Sequence, residues 1–333
     1  MRINKMKKIK IILMYVLLWL SIGFSQASDL NRESLNDTLS KENIEKAISN
    51  IILLLEKEYI YPEKALLVEE ELRRKLVNNE FDKISDWYSF IRSLNAIIRG
   101  ISGDMYLDIV ETNPSLTLEK AQKKSVFNIQ DSYGVGGVDL LSGNIGYMRM
   151  NYFYQNHNAK NEIFHALKEL SKVDALIIDL RDTEGDSIPL AQYFMSFFIK
   201  EGTILSEILY DKQNKRKRLR AFENSGNDKF KHDFPIYILT SSFLSSSGEF
   251  FCYTLKHFKK AVIVGEKTMG IAHVLQNQKI NNYISLNIPI AIPINPTTHS
   301  NWEKTGVTPD LDVAANLSLD AAHKMAKQYL GIF

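Results

Sequence analysis

Apolar residues recur at helical spacing through the region that begins near residue 41. Up to residue 100 they form three groups in which neighbours lie three or four positions apart, as on the buried face of an amphipathic helix. Pro62 stands at the start of the second group, where a proline is compatible with the first turn of a helix. The pattern predicts three helices whose apolar stripes form a core. The predicted core positions are Ile44, Ile48, Ile51, Ile52, Leu55, Leu66, Leu67, Leu72, Leu76, Trp87, Phe90, Ile91, Leu94, Ile97 and Ile98.

From residue 143 onward the pattern changes to short apolar runs that alternate with helical stretches. Such alternation predicts a mostly parallel sheet covered by helices on both faces, and hence an α/β fold. Residues 283–294 alternate in the manner of a hairpin, and a last helix is expected over 318–329. The predicted strands are 143–150, 175–180, 234–240 and 261–264, and the predicted helices between them are 162–170, 188–199 and 247–258.

The first 27 residues have the pattern of a secretory signal peptide. Five basic residues precede an apolar run over 11–24, and Ser25 and Ala27 supply small residues at the expected cleavage site. The apolar run is short for a membrane span, although an uncleaved anchor is the alternative. We expect an exported protein, periplasmic or secreted, with no stable membrane span after cleavage. The rest divides into an N-terminal helical subdomain over 28–120 and an α/β domain over 121–333.

Charge and composition exclude several classes of partner. Loss of the signal removes five basic residues and no acidic one, which changes the formal net charge from +2 to −3. A nearly neutral protein offers no electrostatic basis for binding nucleic acid. The one basic cluster, over 215–220, is interpreted as a solvated hairpin. Cys252 is the single cysteine, so it forms no internal disulfide and is expected to be a small buried apolar residue. Neither the histidines nor the cysteine has metal-ligand spacing, so no metal or other cofactor is expected.

Three polar loops follow predicted strands of the parallel sheet, where folds of this class place their sites. They span 181–187, 241–249 and 265–273. Ser246, in the second loop, directly precedes a predicted helix. A serine there can act as a nucleophile, because the N–H groups at the helix start can stabilise an oxyanion. It can equally be an N-cap that forms a capping box with Glu249. The residues alone leave both roles open.

The sequences around these loops resemble the tail-specific, or C-terminal processing, serine peptidases. The resemblance rests on Leu-Thr-Ser and Ser-Ser-Gly-Glu-Phe within 239–250, Val-Gly-Glu-Lys-Thr-Met-Gly over 264–270, and Asn-Trp-Glu, Gly-Val and Pro-Asp within 301–310. It is most specific over 143–313. With no room for an inserted peptide-binding module, the chain is most similar to the branch named for the interphotoreceptor retinoid-binding protein. The resemblance implies an α/β fold with a mostly parallel sheet core of the ClpP/crotonase-like type.

The resemblance also implies roles for individual residues. Ser246 matches the family's nucleophile, and Glu249 matches the acidic residue three positions later. The N–H groups of Ser247 and Gly185 match the oxyanion donors. Glu303, in the segment that ends the domain, is expected to belong to the catalytic group. The implied partner is a polypeptide substrate.

Several positions depart from the family pattern. Tyr106, in Ser-Gly-Asp-Met-Tyr-Leu, stands where one branch has a catalytic histidine, and Ile271 stands where the other has a catalytic lysine. Asp186 replaces a glycine, where a side chain would disfavour a positive φ and a carboxylate would repel an oxyanion. Loss of a general base typically lowers the rate about 10²–10⁴-fold. His273 is a hypothetical replacement base because imidazole titrates near neutral pH, and Lys267 is a second candidate.

Three functions are therefore considered as alternatives. The first is a serine-type peptidase that acts on exported or unfolded polypeptides and is weakened by these departures. The second is a catalytically inactive protein of the same fold that binds peptides or an apolar ligand, and a structural protein with a vestigial cleft is a third reading. The retained Ser246 and Glu249 favour the enzyme, and the substituted positions favour the binder.

Overall fold

The computed structural model describes residues 39–112, 134–154, 157–210, 215–223 and 228–332. The predicted signal peptide and the predicted boundary at residue 120 lie outside these ranges. Among the described residues no helix combines the length and the apolar character needed to cross a membrane.

Three helices form the N-terminal part, as the spacing predicts. They are α1 (Lys41–Glu58), α2 (Pro62–Val77) and α3 (Trp87–Ser102). The Ser40 hydroxyl accepts a hydrogen bond from the Asn43 N–H (3.2 Å), and the Asp86 carboxylate accepts one from the Ser89 N–H (2.8 Å). These side chains satisfy N–H groups that have no partner within the first turn, so α1 and α3 begin at capped positions.

In α2, some residues that the sequence predicts as core positions are exposed. In α2 the buried residues are Ala65, Val68 and Leu72, whereas Leu66 and Leu67 are exposed by 57% and 52%. Prediction of Leu66 and Leu67 as core positions was therefore wrong. Positions adjacent to a buried residue on a helix point about 100° away from it, and the row of three small and branched residues already fills the contact with the neighbouring helices.

A six-stranded sheet forms the second layer and confirms the predicted mostly parallel core. Its strand order is β11-β8-β7-β4-β3-β2, and every neighbouring pair is parallel except the antiparallel β2 and β3. The central strands are entirely buried, as expected for strands covered on both faces. The strands are β2 (Val135–Leu141), β3 (Ile145–Met150), β4 (Ala175–Asp179), β7 (Ile236–Thr240), β8 (Val262–Gly265) and β11 (Leu311–Asp312).

Helices cover the two faces of this sheet. One face packs against α4 (His157–Glu169), α5 (Ile188–Met195) and α6 (Ser246–His257), and the other packs against α7 (Ser318–Tyr329). The predicted helix over 188–199 ends early, at Met195, and turns with bonds between residues three apart carry the chain to Phe198. Cys252 is fully buried in the α6 face, as predicted, and burial raises the pKa of its thiol.

The structure also contains a second, antiparallel sheet, which the sequence predicted only in part: residues 283–294, expected to form a hairpin, lie almost entirely in one long strand, whereas the basic cluster does lie in a hairpin. The strands of this sheet are β1 (Asp108–Glu111), β5 (Ile204–Tyr210), β6 (Lys215–Arg220), β9 (Val274–Lys279) and β10 (Ile284–Ile294). The basic cluster forms the edge strand β6 of the β5–β6 hairpin, where Arg216 and Arg218 both pair with Glu207. The long strand β10 pairs with β1, β5 and β9, so it joins the helical part to the α/β part.

Candidate active site

The carboxyl ends of β4, β7 and β8 lie side by side at one edge of the six-stranded sheet. The three predicted loops follow these strands, and hydrogen bonds connect them to one another. The Ser241 hydroxyl donates to the Arg181 carbonyl, and the Ser242 N–H donates to the Glu266 carboxylate (3.0 Å). The sheet therefore brings the three loops together as the sequence predicts.

Ser246 occupies a sharp turn between β7 and α6. Its φ is +50°, a left-handed conformation that is uncommon for a residue with a Cβ. The side chain is half-buried, and across the described part of the chain no group hydrogen-bonds to its Oγ. The N-cap position is Ser245, and its side chain makes no capping bond. Ser246 is therefore not the predicted N-cap serine, and its strained turn presents an uncommitted hydroxyl.

The side chain of Glu249 holds this turn through hydrogen bonds. Its side chain is fully buried, and its carboxylate accepts hydrogen bonds from the Ser246 N–H (3.1 Å), the Thr268 hydroxyl (2.5 Å) and the N–H groups of Gly270 (2.6 Å) and Ile271 (2.8 Å). Burial raises the pKa of Glu249, and these four donors oppose the rise. The glutamate half of a capping box is thus present. Glu249 ties the serine turn to the loop after β8, and within the described residues it makes no hydrogen bond to the Ser246 hydroxyl.

His273 lies at the end of that loop, between a carboxylate and a phenol. Its Nδ1 is 3.3 Å from Glu303 Oε2, close enough for an ion pair but without hydrogen-bond alignment, and its Nε2 is 2.9 Å from the Tyr61 hydroxyl. Glu303 is itself held by the Ala272 N–H (2.9 Å). Burial lowers the pKa of His273, and Glu303 partly opposes this. The side chain is therefore a neutral imidazole at physiological pH, as a general base must be.

Ser246 and His273 line the same small cavity. Its volume is about 50 Å³, enough for water or a small substrate group. Ser247 contributes a buried hydroxyl that has no partner within the described residues. The remaining lining residues are Asp186 and seven apolar residues, namely Ile188, Phe250, Ala272, Val274, Leu275, Pro293 and Trp302.

Two backbone N–H groups near the cavity lack acceptors. Neither Ser247 nor Gly185 donates its N–H to another residue of the described ranges. Gly185 has φ +108°, and a Cβ there would lie 2.6 Å from the Phe153 carbonyl oxygen. The left-handed residue of this loop is Gly185 and not Asp186, so the backbone strain expected at Asp186 is absent. The two N–H groups predicted as oxyanion donors thus have no acceptor among the described residues, and what remains at Asp186 is its charge.

The other positions that replace family bases do not supply one. The Tyr106 ring centre lies 6.5 Å from that of His273, and burial together with Glu303 and Glu249 raises the pKa of Tyr106. A phenol with a raised pKa stays protonated and cannot accept a proton at neutral pH. Lys267 is exposed and does not line the cavity. Among the candidates, His273 is the side chain that combines a neutral base with a place beside Ser246.

A profile of Peptidase family S41 matches residues 144–313, about half of this 333-residue chain. The chain belongs to peptidase family S41. The match covers all three loops and Glu303, and it leaves Tyr61 and Tyr106 outside.

Curated relatives of this S41 chain share the same segment. The chloroplastic carboxyl-terminal-processing peptidase 2 of Arabidopsis thaliana is 28% identical over 171 residues, which are 51% of this chain and 32% of the relative. The carboxyl-terminal-processing protease of Synechocystis is 26% identical over 168 residues, 50% of this chain and 37% of the relative. The chain spans about a third of the length of these curated relatives.

Solved structures extend the similarity of fold beyond the matched segment. A lipoprotein from Streptococcus agalactiae has a TM-score of 0.61 at 18% identity, covering 86% of this chain and 96% of that one. The photosystem II D1 C-terminal processing protease has a TM-score of 0.57 at 14% identity, covering 84% and 96%. The α/β fold with its N-terminal helical region is therefore one that S41-like structures share.

The structure gathers most of the predicted site residues of this S41 chain and adds one. Ser246, Ser247 and His273 share the cavity, Glu303 contacts His273, and Glu249 lies beneath the serine turn. The sequence did not point to Tyr61, which precedes the predicted helix start and is 212 positions from His273. The one available signal was its position next to Pro62, which marks a helix start and says nothing of a partner in a distant loop.

Proposed function

We propose that this S41 chain is a serine peptidase in which Ser246 is the nucleophile and His273 is the general base. The observation that carries the proposal is the shared cavity, which is lined both by a serine with an uncommitted hydroxyl on a strained turn and by a buried neutral imidazole. The Glu303 carboxylate lies 3.3 Å from Nδ1, and we assign it the role of orienting the imidazole once the two groups align. A nucleophile, a base and a group that orients the base are the three parts that activate a serine.

The reaction follows from these positions. His273 Nε2 takes the Ser246 proton as Oγ bonds to the substrate carbonyl carbon, and the resulting oxyanion accepts hydrogen bonds from the Ser247 and Gly185 N–H groups. The protonated imidazole, stabilised by Glu303, then gives its proton to the leaving amine as the C–N bond breaks. Water, deprotonated by the same imidazole, attacks the ester and releases the acid and the Ser246 hydroxyl.

One exchange of partners must precede this chemistry. Nδ1 of His273 faces Glu303, so Nε2 is the nitrogen that serves Ser246, and the Tyr61 hydroxyl now holds it. We interpret the contact between Nε2 and Tyr61 as the resting arrangement. When substrate enters, Nε2 exchanges Tyr61 for Ser246 as its partner.

The departures from the family pattern fit a relocated base. We propose that the chain belongs to the branch named for the interphotoreceptor retinoid-binding protein. Tyr106 stands where one branch of the family has a catalytic histidine. His273 lies beside Tyr106 and reaches Glu303 from the opposite loop. Ile271 and Asp186 complete the set of degenerate positions. With His273 as the base, the site keeps its nucleophile, Ser246, although the catalytic histidine and the catalytic lysine of the family pattern are both replaced.

The substrates that we propose are exported or unfolded polypeptides. The support is the C-terminal processing activity named for the relatives and the signal-like pattern of residues 1–27. We propose export to the periplasm or secretion on the same pattern.

The test compares the native protein with Ser246→Ala, and Ser245→Ala serves as the matched control because its side chain makes no capping bond. Each is incubated with an unstructured protein, and new termini are identified by mass spectrometry. We expect cleavage by the native protein and Ser245→Ala, and none by Ser246→Ala. If none of the three proteins cleaves the substrate across pH 5–9, the proposal is overturned in favour of the binding protein. Cleavage by Ser246→Ala would overturn the choice of nucleophile.

A further inference from the structure

Asp186 places a negative charge at the rim of the active-site cavity. Asp186 lines the cavity together with Ser246 and His273, and the residue is exposed. Through the described ranges no cation pairs with it. The mouth of the cavity therefore carries the formal negative charge of one aspartate.

Two neighbouring carboxylates differ in this respect. Asp182 pairs with Arg149 at 2.8 Å, and Asp179 pairs with Arg181 at 2.6 Å. Both are neutralised by arginines that stay outside the cavity lining. Asp186 is thus set apart from the other aspartates of this loop by facing the site without a cation.

An unneutralised carboxylate opposes the proposed reaction. Asp186 directly follows Gly185, one of the two oxyanion donors, so the developing negative charge forms close to it. Two like charges at such a separation near a protein surface repel appreciably, and the repulsion is larger in the transition state than in the ground state. A substrate that brings a positive charge to this rim removes the repulsion and gains an attraction.

We propose that Asp186 is a specificity-determining residue that selects polypeptides with a lysine or arginine next to the scissile bond. This inference rests on the proposed peptidase function. The rim suits a lysine or arginine side chain, because two apolar residues border the cavity and can pack along the aliphatic stem of that side chain. These residues are Ile188, which is half-buried, and Leu275, which is 41% exposed. The cavity itself holds about 50 Å³, so the basic group lies across its mouth.

The test uses peptides in which each of the three positions on either side of the cleaved bond carries lysine or its uncharged length-match norleucine. We expect kcat/KM to be about tenfold higher for lysine at one position, the order expected for a partly exposed charge pair. In Asp186→Asn the preference disappears, because norleucine peptides are cleaved faster and lysine peptides slower. In the control Asp182→Asn the preference is retained.

A binding measurement separates this inference from the proposed function. In the Ser246→Ala background the same peptides are titrated calorimetrically, with and without Asp186→Asn. If the lysine peptide binds more tightly than the norleucine peptide and Asp186→Asn abolishes the difference, the inference is supported. This holds even if the native protein cleaves nothing, a result that would contradict the proposed function alone. Cleavage without a lysine preference, or a preference that survives Asp186→Asn, overturns the inference and leaves the peptidase in place.

Discussion

The Tyr61 hydroxyl lies 2.9 Å from Nε2 of His273, across 212 positions of the chain. Tyr61 is the N-cap residue of α2, and Lys64 Nζ lies 4.8 Å from its ring centre. The helical region therefore places a hydroxyl on the nitrogen that the proposed mechanism assigns to the nucleophile. Its hydrogen bond competes with activation of Ser246.

Removing this competitor should raise the rate. In Tyr61→Phe the imidazole loses one hydrogen bond, which is worth about 0.5–1.5 kcal/mol, so we expect kcat/KM to increase by about two- to tenfold. Steady-state kinetics on a cleaved peptide measure the change, with the exposed Tyr88→Phe as the control. A lower rate in Tyr61→Phe would show that Tyr61 holds the imidazole in its working orientation instead.

Glu303→Gln should change both the rate and its pH dependence. Burial lowers the pKa of His273 and Glu303 raises it, so loss of the carboxylate moves the pKa of His273 further down. The base works when neutral, so activity rises with pH through this pKa, and the rise should occur at lower pH in Glu303→Gln. The plateau should fall about 10²–10⁴-fold because the imidazolium loses its stabilising charge. If the rise in activity occurred at the same pH in Glu303→Gln as in the native protein, the proposed effect of Glu303 on the pKa of His273 would be contradicted.

Glu249→Gln should destabilise the fold. A carboxamide keeps one acceptor oxygen and turns an NH₂ toward N–H donors, so at least one buried donor is left unpaired, at about 1–3 kcal/mol each. The native pKa of Glu249 is raised, so its stabilising contribution is full below the ordinary glutamate pKa and is lost as pH rises through the folded value. Urea unfolding at several pH values should show a stability difference that narrows as pH rises. A constant difference would indicate that Glu249 does not titrate in this way.

Gly185→Ala should impair both stability and activity. The residue has φ +108°, and the new Cβ would meet the Phe153 carbonyl oxygen at 2.6 Å, so the oxyanion loop must shift. We expect a loss of at least about 2 kcal/mol and a rate about 10²-fold or more lower. Gly202→Ala is the control, because Gly202 also has a positive φ, +75°, but no atom lies within 4 Å of its added Cβ. Equal effects of the two substitutions would mean that strain alone acts, without the contact.

Local pattern predicted the sheet and the serine turn well, because each depends on residues close in sequence. The strands β4 and β7 are short apolar runs, and Ser246 lies where one run gives way to a helix. The pattern did not distinguish Leu66 and Leu67 from core residues, since their exposure depends on how far α2 is covered by its neighbours.

The antiparallel sheet and the surroundings of His273 were less accessible from sequence. Strands β1 and β10 pair across some 180 positions, and Tyr61 meets His273 across a similar span. Contacts of this kind are decided by tertiary packing, which no spacing of residues encodes. The sequence offered Ser246 as the nucleophile and both His273 and Lys267 as candidate bases, and the cavity lining, which includes His273 and not Lys267, favours the first of these two.

The strand β10 has a consequence for how the protein unfolds. Ile284, Leu286 and Ile288 belong to the helical core, Ala291 belongs to the α/β core, and Ile290 packs against both. Loss of the helices would remove the core packing from one end of this strand, while its other end stayed hydrogen-bonded to β5. Cooperativity therefore spans both regions, and thermal denaturation should proceed in a single transition that melts the helices and the catalytic loops together.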